Sequence, residues 1–146
     1  MITKTSFRVV ATLSVLACSL YSFRATSPTP QQDPALAKSV KAGQTVYSTY
    51  CAMCHQPTGL GIAGVYPPLA KSDYLMADSK RVAGHIKNGL QGEIVVNGKK
   101  YNQVMPAQPL TDQQITDVLN YVRNSWGNKG KAVTLAEVKS VKKKAS

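Results

Sequence analysis

Cysteine and histidine are scarce in this chain of 146 residues, which contains three cysteines and two histidines. Cys51 and Cys54 stand beside His55, whereas Cys18 and His85 are isolated. A structural zinc site takes four ligands, usually from two Cys/His pairs. Because no second pair follows the first, the sequence argues against zinc.

Acidic residues are also few: seven Asp and Glu face 18 Lys and Arg, which gives a formal net charge of +11. Most of the excess lies near the ends, since residues 1–25 hold three basic residues and no acidic one, and residues 127–146 hold six lysines and one glutamate. Residues 26–126 hold nine basic and six acidic residues, a net charge of +3. No basic stripe with interleaved aromatic residues occurs, so nucleic acid is not an expected partner.

The C-terminal lysines Lys142, Lys143 and Lys144 have two interpretations. They dock onto an acidic protein or an anionic lipid surface, or they form a solvated tail. The sequence also contains no pattern typical of a hydrolase triad, a phosphate-binding loop or a paired-carboxylate site. It therefore does not predict an enzyme.

The chain has one long, mainly apolar run at its start, residues 9–23, which follows Lys4 and Arg8. The run is shorter than the roughly 20 residues that span a bilayer comfortably. A short apolar run behind basic residues is typical of a secretory signal. We predict that residues 1–24 are a signal peptide or lipoprotein signal and that the protein is exported, to the periplasm or another extracytoplasmic compartment.

Cys18 lies within that segment, after Val15, Leu16 and Ala17, in a pattern that loosely resembles a bacterial lipoprotein cleavage site. In that interpretation Cys18 becomes the lipidated first residue and attaches the mature protein to a membrane. In the other, Cys18 is a small apolar residue of a discarded signal. Both interpretations stay open.

The strongest motif is Cys51-Ala52-Met53-Cys54-His55. Two thiols followed at once by an imidazole are the pattern that attaches a c-type haem covalently. Cys51 and Cys54 can form thioethers with the two porphyrin vinyl groups, and one helical turn directs His55 at the iron. A thioredoxin-like redox pair is the alternative, but it requires a βαβ context, and no strand pattern precedes Cys51.

The remaining elements surround this motif in one domain, residues 37–126. Residues 25–36 contain three prolines and are predicted to be an extended linker, and residues 127–146 are a lysine-rich tail. Asn97-Gly98 between two apolar segments predicts a β-hairpin with a type I′ turn. Predicted helices cover residues 37–50, 73–76, 79–88 with Asp78 as N-cap, and about 112–126 behind a capping box from Thr111 to Gln114.

With these residues in place, the chain resembles a class I monohaem cytochrome c over about residues 37–126. In that family a glycine, an aromatic residue and the first haem cysteine follow one another at intervals of four, and Gly43, Tyr47 and Cys51 keep this spacing. The glycine and aromatic residue cross the C-terminal helix, where Val118 and Tyr121 match the family pattern. The hairpin resembles bacterial members, including cytochrome domains fused to copper nitrite reductases and other oxidoreductases.

The resemblance implies an all-α fold, with three to four helices around one covalently bound haem c and a small β-hairpin before the loop that carries a methionine ligand. It also implies that the proximal histidine, His55, donates its other ring nitrogen to a proline carbonyl. Pro67 matches that position best, and Pro68 is the alternative.

Met105 is the sixth ligand that the resemblance favours. It precedes Pro106 and lies in a loop shortly before the C-terminal helix, as in the family. Met53 is confined to the haem-attachment turn, and Met76 lies in a short helical segment where a buried thioether usually fills space. His85 would give a haem with two histidine ligands, but its helical setting is more typical of a core or surface histidine.

Iron held by both His55 and Met105 has no open coordination site, so the expected function is to carry single electrons between redox protein partners rather than to catalyse a reaction. Two alternatives stay open. In the first, the chain is an electron-transfer subunit of a larger dehydrogenase or reductase. In the second, it is a gas-binding haem protein, which would require Met105 to dissociate.

Overall fold

The computed structural model of the protein describes residues 33–144. The predicted signal segment with Cys18, residues 25–32 of the predicted linker and the last two residues of the tail lie outside that range. The described elements are α1 (Pro34–Tyr50), α2 (Ala52–His55), α3 (Asp73–Ala77), α4 (Ser79–Asn88), β1 (Ile94–Val96), β2 (Lys99–Tyr101), α5 (Asp112–Val122) and α6 (Leu135–Ser140). The predicted all-α class with one small hairpin is confirmed.

Helix α1 begins at Pro34, whereas the sequence predicts a start near Ala37 at the end of an extended linker. The reason is local. The Asp33 side chain accepts a hydrogen bond from the backbone N–H of Ala35 at 2.9 Å, so it acts as the N-cap. Pro34 occupies the first helical turn, where its missing N–H costs nothing. The last proline of the predicted linker thus starts a helix.

Helices α1 and α5 cross and form the most extensive contact between any two elements. Gly43 lies at the crossing, because a Cβ at this position would overlap the backbone carbonyl of Asp117 and approach the Cβ of Tyr121 to 2.8 Å. The fully buried Ile115 and Leu119 of α5 extend the core from this crossing. The implied crossing of Gly43 with the C-terminal helix is confirmed.

An aromatic cluster closes one end of this crossing. The ring centroid of Tyr47 lies 5.4 Å from that of Tyr121 and 5.0 Å from that of Trp126. Helix α5 ends at Val122 rather than near Trp126, because Arg123 is its C-cap and the backbone takes positive φ angles at Trp126 and Gly127. That turn places the Trp126 indole against Tyr47.

The predicted caps and hairpin are confirmed. Asp78 accepts hydrogen bonds from the backbone N–H groups of Lys80 and Arg81, and Thr111 forms a capping box with Gln114. Strands β1 and β2 pair antiparallel, with Asn97 and Gly98 at positive φ between them. The hairpin turn also contacts α3. The Asn97 side chain accepts a hydrogen bond from the Asp73 N–H, and the Asp73 side chain accepts one from the Asn97 N–H.

The lysine-rich tail contributes a helix that the predicted three to four helices do not include. Thr134 and Glu137 form a capping box that starts α6, and Val138 of α6 is completely buried. Lys87 of α4 donates hydrogen bonds to the carbonyls of Val138 and Val141 at 2.7 and 2.8 Å. These contacts hold residues 133–144 against the domain.

Within residues 33–144, no helix has the length and apolar character needed to cross a bilayer.

Candidate functional site

The junction of α1 and α2 carries the Cys-x-x-Cys-His motif. The backbone N–H groups of Cys54 and His55 both donate to the carbonyl of Cys51, at 3.2 and 2.9 Å, so the motif is a tight turn. Tyr47 of α1 donates its hydroxyl to the carbonyl of Gln56 at 2.6 Å. Gln56 has a φ of 63°, and the chain leaves the turn there. The turn is therefore held from both sides.

Both cysteines of the motif are half-buried, and they do not form a disulfide with each other. Burial, together with the neighbouring Cys54, raises the pKa of the Cys51 thiol to about 11. Reactive cysteines of redox and catalytic sites have pKa values lowered towards or below neutrality, because the thiolate is the nucleophile. The environment of Cys51 does the opposite, which argues against the thioredoxin-like alternative.

His55 is oriented by one hydrogen bond. Its Nδ1 lies 3.0 Å from the carbonyl oxygen of Pro67, which is the proline favoured over Pro68 in the sequence analysis. With the proton on Nδ1, the imidazole leaves the Nε2 lone pair free for a metal. Burial lowers the pKa of His55, against the opposing effect of the Pro67 hydrogen bond, and this favours the neutral form that metals bind.

The loop after the motif brings Pro67 to His55, and Gly61 makes this path possible. The N–H of Gly61 donates to the carbonyl of His55 at 3.0 Å, and its φ is 64°. A Cβ at Gly61 would come within 2.7 Å of the Pro67 carbonyl oxygen and still closer to that of Tyr66. A side chain here would push away the carbonyl that orients His55.

Met105 is fixed by its backbone. It exchanges two hydrogen bonds with Leu90, from Leu90 N–H to the Met105 carbonyl at 2.8 Å and from Met105 N–H to the Leu90 carbonyl at 3.0 Å. Three residues later, Gln108 N–H donates to the carbonyl of Ile86 at 2.8 Å. The segment around Met105 is thereby attached to the C-terminal end of α4, and its side chain is half-buried.

An open cavity joins these residues, with about 670 Å³ of empty space when its opening to solvent is included. Its lining includes Cys51, His55, Pro67 and Met105, and apolar side chains from α3, α4, α5 and the hairpin make up most of the rest. Apolar walls, the Cys51 sulfur at one edge, an oriented imidazole and a thioether are groups that a covalent haem requires. The residues present fit this group.

A second cavity of about 980 Å³ adjoins the first and shares Cys51, His55, Pro67 and Met105 with it. Its lining adds Cys54, so the two cavities together contact both cysteines of the motif. Its other lining residues include no Asp, Glu, Lys or Arg among the described part of the chain. The site is therefore bordered by uncharged side chains.

The structure separates Met105 from the other methionines. Met53 is 88% exposed on the outside of the attachment turn. Met76 lies outside the lining of both cavities, beside the C-cap of α5, where its carbonyl accepts a hydrogen bond from Arg123. His85 does line the first cavity, and it is hydrogen-bonded to Tyr74. The sequence does not predict this pair, because no local pattern signals a contact between these two helices.

Comparisons with known proteins agree with this geometry. The family model described as Cytochrome c matches residues 40–126. Cytochrome c-552 of Thermus thermophilus is 40% identical over 119 residues, which cover 75% of this chain and 80% of that protein.

Cytochrome subunits of dehydrogenases are also similar. The alcohol dehydrogenase (quinone) cytochrome c subunit of Gluconacetobacter polyoxogenes is 32% identical over 119 residues, 73% of this chain and 25% of that subunit. The gluconate 2-dehydrogenase cytochrome c subunit of Pantoea cypripedii is 32% identical over 128 residues, 77% of this chain and 28% of that subunit. The chain thus spans about a quarter of the length of these two subunits.

Proposed function

Since this chain belongs to the cytochrome c family, we propose that it is an exported carrier of single electrons whose haem iron is bound by His55 and Met105. Members of the family hold haem c covalently, and this chain does the same. The observation that carries the proposal is the shared cavity: an imidazole oriented by Pro67 and a thioether fixed by Leu90 both line it.

Each residue of the site has a separate role in this proposal. Cys51 and Cys54 form the two thioether bonds, and His55 binds the iron through Nε2 while its Nδ1–H donates to Pro67. Met105 would supply the sulfur ligand from the same cavity. The haem supplies a one-electron couple between ferric and ferrous iron. The apolar lining excludes water, and both that lining and the thioether disfavour the ferric charge and raise the potential.

The test compares native holoprotein with Met105→Ala, and with Met76→Ala as a matched control outside the cavities. We expect reversible one-electron voltammetry and slow carbon monoxide binding for the reduced native protein and for the Met76 variant. Met105→Ala removes one protein ligand of the iron, so carbon monoxide should bind the iron rapidly and the potential of the haem should fall. Rapid carbon monoxide binding by the native protein would favour the gas-binding alternative instead.

The lysine-rich segment supports an acidic redox partner. Lys139, Lys142 and Lys143 surround a polar groove that also includes Gln108. Gln108 lines the second cavity as well, so the groove adjoins the haem site. The Asn88 side-chain amide fixes this position, because it donates to the carbonyl of Lys142 and accepts from the N–H of Lys144. Positive charge placed there would steer an acidic partner to the haem.

Neutralising two of these lysines tests the docking proposal. Lys142→Gln/Lys143→Gln should slow electron transfer to the physiological acceptor at low ionic strength, and the difference should vanish at high salt. Lys38→Gln/Lys41→Gln on exposed α1 positions makes the same change in net charge as a control. Equal rates for both double variants would show that the groove has no special role.

The similarity to dehydrogenase cytochrome subunits supports a second candidate function, an electron-transfer subunit of a larger dehydrogenase or reductase. The two candidates differ in how strongly the partner is bound. Gentle purification of the tagged chain from its native host should give the isolated cytochrome if it is a free carrier. Stoichiometric co-purification with a catalytic subunit would establish the alternative.

Export and anchoring complete the proposal, and both rest on sequence that lies outside the described residues. We expect the mature protein in the periplasm or another extracytoplasmic compartment, free or attached through Cys18. Fractionation of cells that produce the native chain and Cys18→Ser separates the two forms. A lipid anchor requires membrane association that the substitution abolishes, and a soluble native protein would exclude the anchor.

A further inference from the structure

A hydrogen-bonded Tyr74–His85 pair forms part of the wall of the haem cavity. The Tyr74 hydroxyl lies 3.0 Å from His85 Nε2, and the two rings are stacked with centroids 6.0 Å apart. Both residues line the cavity that His55 and Met105 share. Neither has a role in the attachment or ligation proposed above, so a titratable imidazole stands beside the haem without an assigned function.

The groups around His85 come from each neighbouring element. Tyr74 is the titratable residue from α3, and Arg81 of α4 places its guanidinium 3.9 Å from the centre of the Tyr74 ring. Asp78 caps α4. Burial lowers the pKa of His85, Arg81 lowers it further, and Asp78 opposes them. Helix α5 contributes only apolar side chains to the cavity, and α2 contributes His55.

Tyr74 can serve both protonation states of His85. A tyrosine hydroxyl donates to the Nε2 lone pair of a neutral imidazole and accepts from the Nε2–H of an imidazolium. Protonation therefore reverses the direction of this hydrogen bond without breaking it. The chain contains two histidines, and His55 is the proposed iron ligand. His85 is then the one imidazole left to take up or release a proton.

We propose that His85, held by Tyr74, couples a proton to the electron that this haem carries. The inference rests on the proposed His55 and Met105 ligation. Ferric haem carries one positive charge more than ferrous haem, and that charge disfavours an imidazolium in the same cavity. Reduction therefore brings one electron from the donor protein to the iron and one proton from solvent to His85. Oxidation by the acceptor releases both.

The sign of the pH dependence follows from this coupling. Protonated His85 favours ferrous iron, so the potential is highest at low pH. It falls as pH rises between the His85 pKa of the ferric protein and that of the ferrous protein, and is level above both. A tenfold difference in proton affinity between the two oxidation states corresponds to about 59 mV between these limits. The haem propionates are the competing source of such a dependence.

The experiment measures the midpoint potential of the holoprotein by voltammetry from pH 4.5 to 8. It compares the native protein with His85→Gln, Tyr74→Phe and, as a control, Tyr121→Phe, which lines neither cavity. We expect a one-proton fall in the native protein and the control, no fall in His85→Gln, and a displaced fall in Tyr74→Phe. A level native profile, or a fall that persists in His85→Gln, would overturn the inference.

Proton NMR titration of His85 in the native protein makes the test independent of the variants. If His85 is coupled to the haem, its pKa is higher in the ferrous than in the ferric protein. Equal pKa values in the two forms would refute the inference. Failure of the carrier proposal looks different, because it would remove the reversible couple or the sulfur ligand at every pH. A reversible, His/Met-ligated and pH-independent haem would leave the carrier proposal standing and reject only the role of His85.

Discussion

Lys87 provides the most quantitative test of how the C-terminal segment is held. Its side chain is 8% exposed, and its ammonium group uses all three protons: for the carbonyls of Val138 and Val141, and for Asp112 Oδ1 at 2.8 Å. The substitution Lys87→Met keeps most of the apolar stem and removes the three donors. It leaves the Val141 carbonyl and the Asp112 carboxylate without this partner, whereas the Val138 carbonyl keeps a hydrogen bond from the Val141 N–H.

The expected loss follows from these contacts. The Val141 carbonyl, left without a partner, costs about 1–3 kcal/mol, and the Val138 carbonyl, which keeps the Val141 N–H, loses one hydrogen bond worth about 0.5–1.5 kcal/mol. The ion pair adds less than about 1 kcal/mol, because the Asp112 side chain is 38% exposed and screened by water. The substitution also removes the free-energy cost of burying the ammonium group, and this offsets part of the lost stability. We expect Lys87→Met to lower the free energy of unfolding by about 2–4 kcal/mol.

Thermal unfolding of the holoprotein, followed by far-ultraviolet circular dichroism, measures this loss. An unfolding entropy of about 0.24 kcal/mol per kelvin for roughly 110 folded residues converts it to a fall in Tm of about 8–17 °C. Asp112→Asn, which removes only the ion pair, should cost less than about 1 kcal/mol. Lys80→Met, at an exposed lysine of the same helix, should stay within about 0.5 kcal/mol of the native protein.

Hydrogen exchange locates the effect. In Lys87→Met the Val141 amide, which donates to the Val138 carbonyl, should exchange faster than in the native protein. If Lys87→Met is no less stable than Asp112→Asn, the two carbonyl bonds contribute nothing and the reasoning is wrong.

Three further predictions concern the domain itself. Gly43→Ala forces a Cβ into the Asp117 carbonyl and should cost at least about 1–3 kcal/mol in denaturant unfolding, so native stability would contradict the tight crossing. Tyr47→Phe loses the hydrogen bond to the Gln56 carbonyl and should lower stability by about 0.5–1.5 kcal/mol, while an unchanged midpoint would show that the bond is not needed. The pKa of His85 is lowered on folding, so its neutral form is favoured and its contribution is complete above about pH 6.5. Stability should therefore fall as pH drops from about 6.5 towards the folded-state pKa, and this part of the pH dependence should be absent in His85→Gln.

Local patterns in the sequence predicted the features that local interactions determine. Asp78 and Thr111 start helices because their side chains bond to N–H groups two or three residues away. Asn97 and Gly98 form the hairpin turn because both accept positive φ. The haem-attachment motif and the helix crossing at Gly43 could also be predicted, because both depend on residues at fixed short spacings in the sequence.

Features that depend on distant contacts could not be read from the sequence in this way. The side chain of Lys87 bonds to a carbonyl 51 residues later, and Tyr74 meets His85 across two helices. Helix α5 ends early because the chain turns at Arg123 to pack Trp126 on Tyr47. Pro34 fits a linker as well as a first helical turn, and the Asp33 cap decides between them. Each outcome depends on a partner that the local pattern does not identify.

The coordination of the iron is the central claim, and X-ray absorption at the iron K-edge of the holoprotein tests it most directly. We expect one sulfur neighbour among six ligands in both the ferric and the ferrous protein, and the loss of that sulfur in Met105→Ala but not in Met76→Ala. A first shell made only of nitrogen and oxygen in the native protein, or a sulfur that survives Met105→Ala, would contradict it.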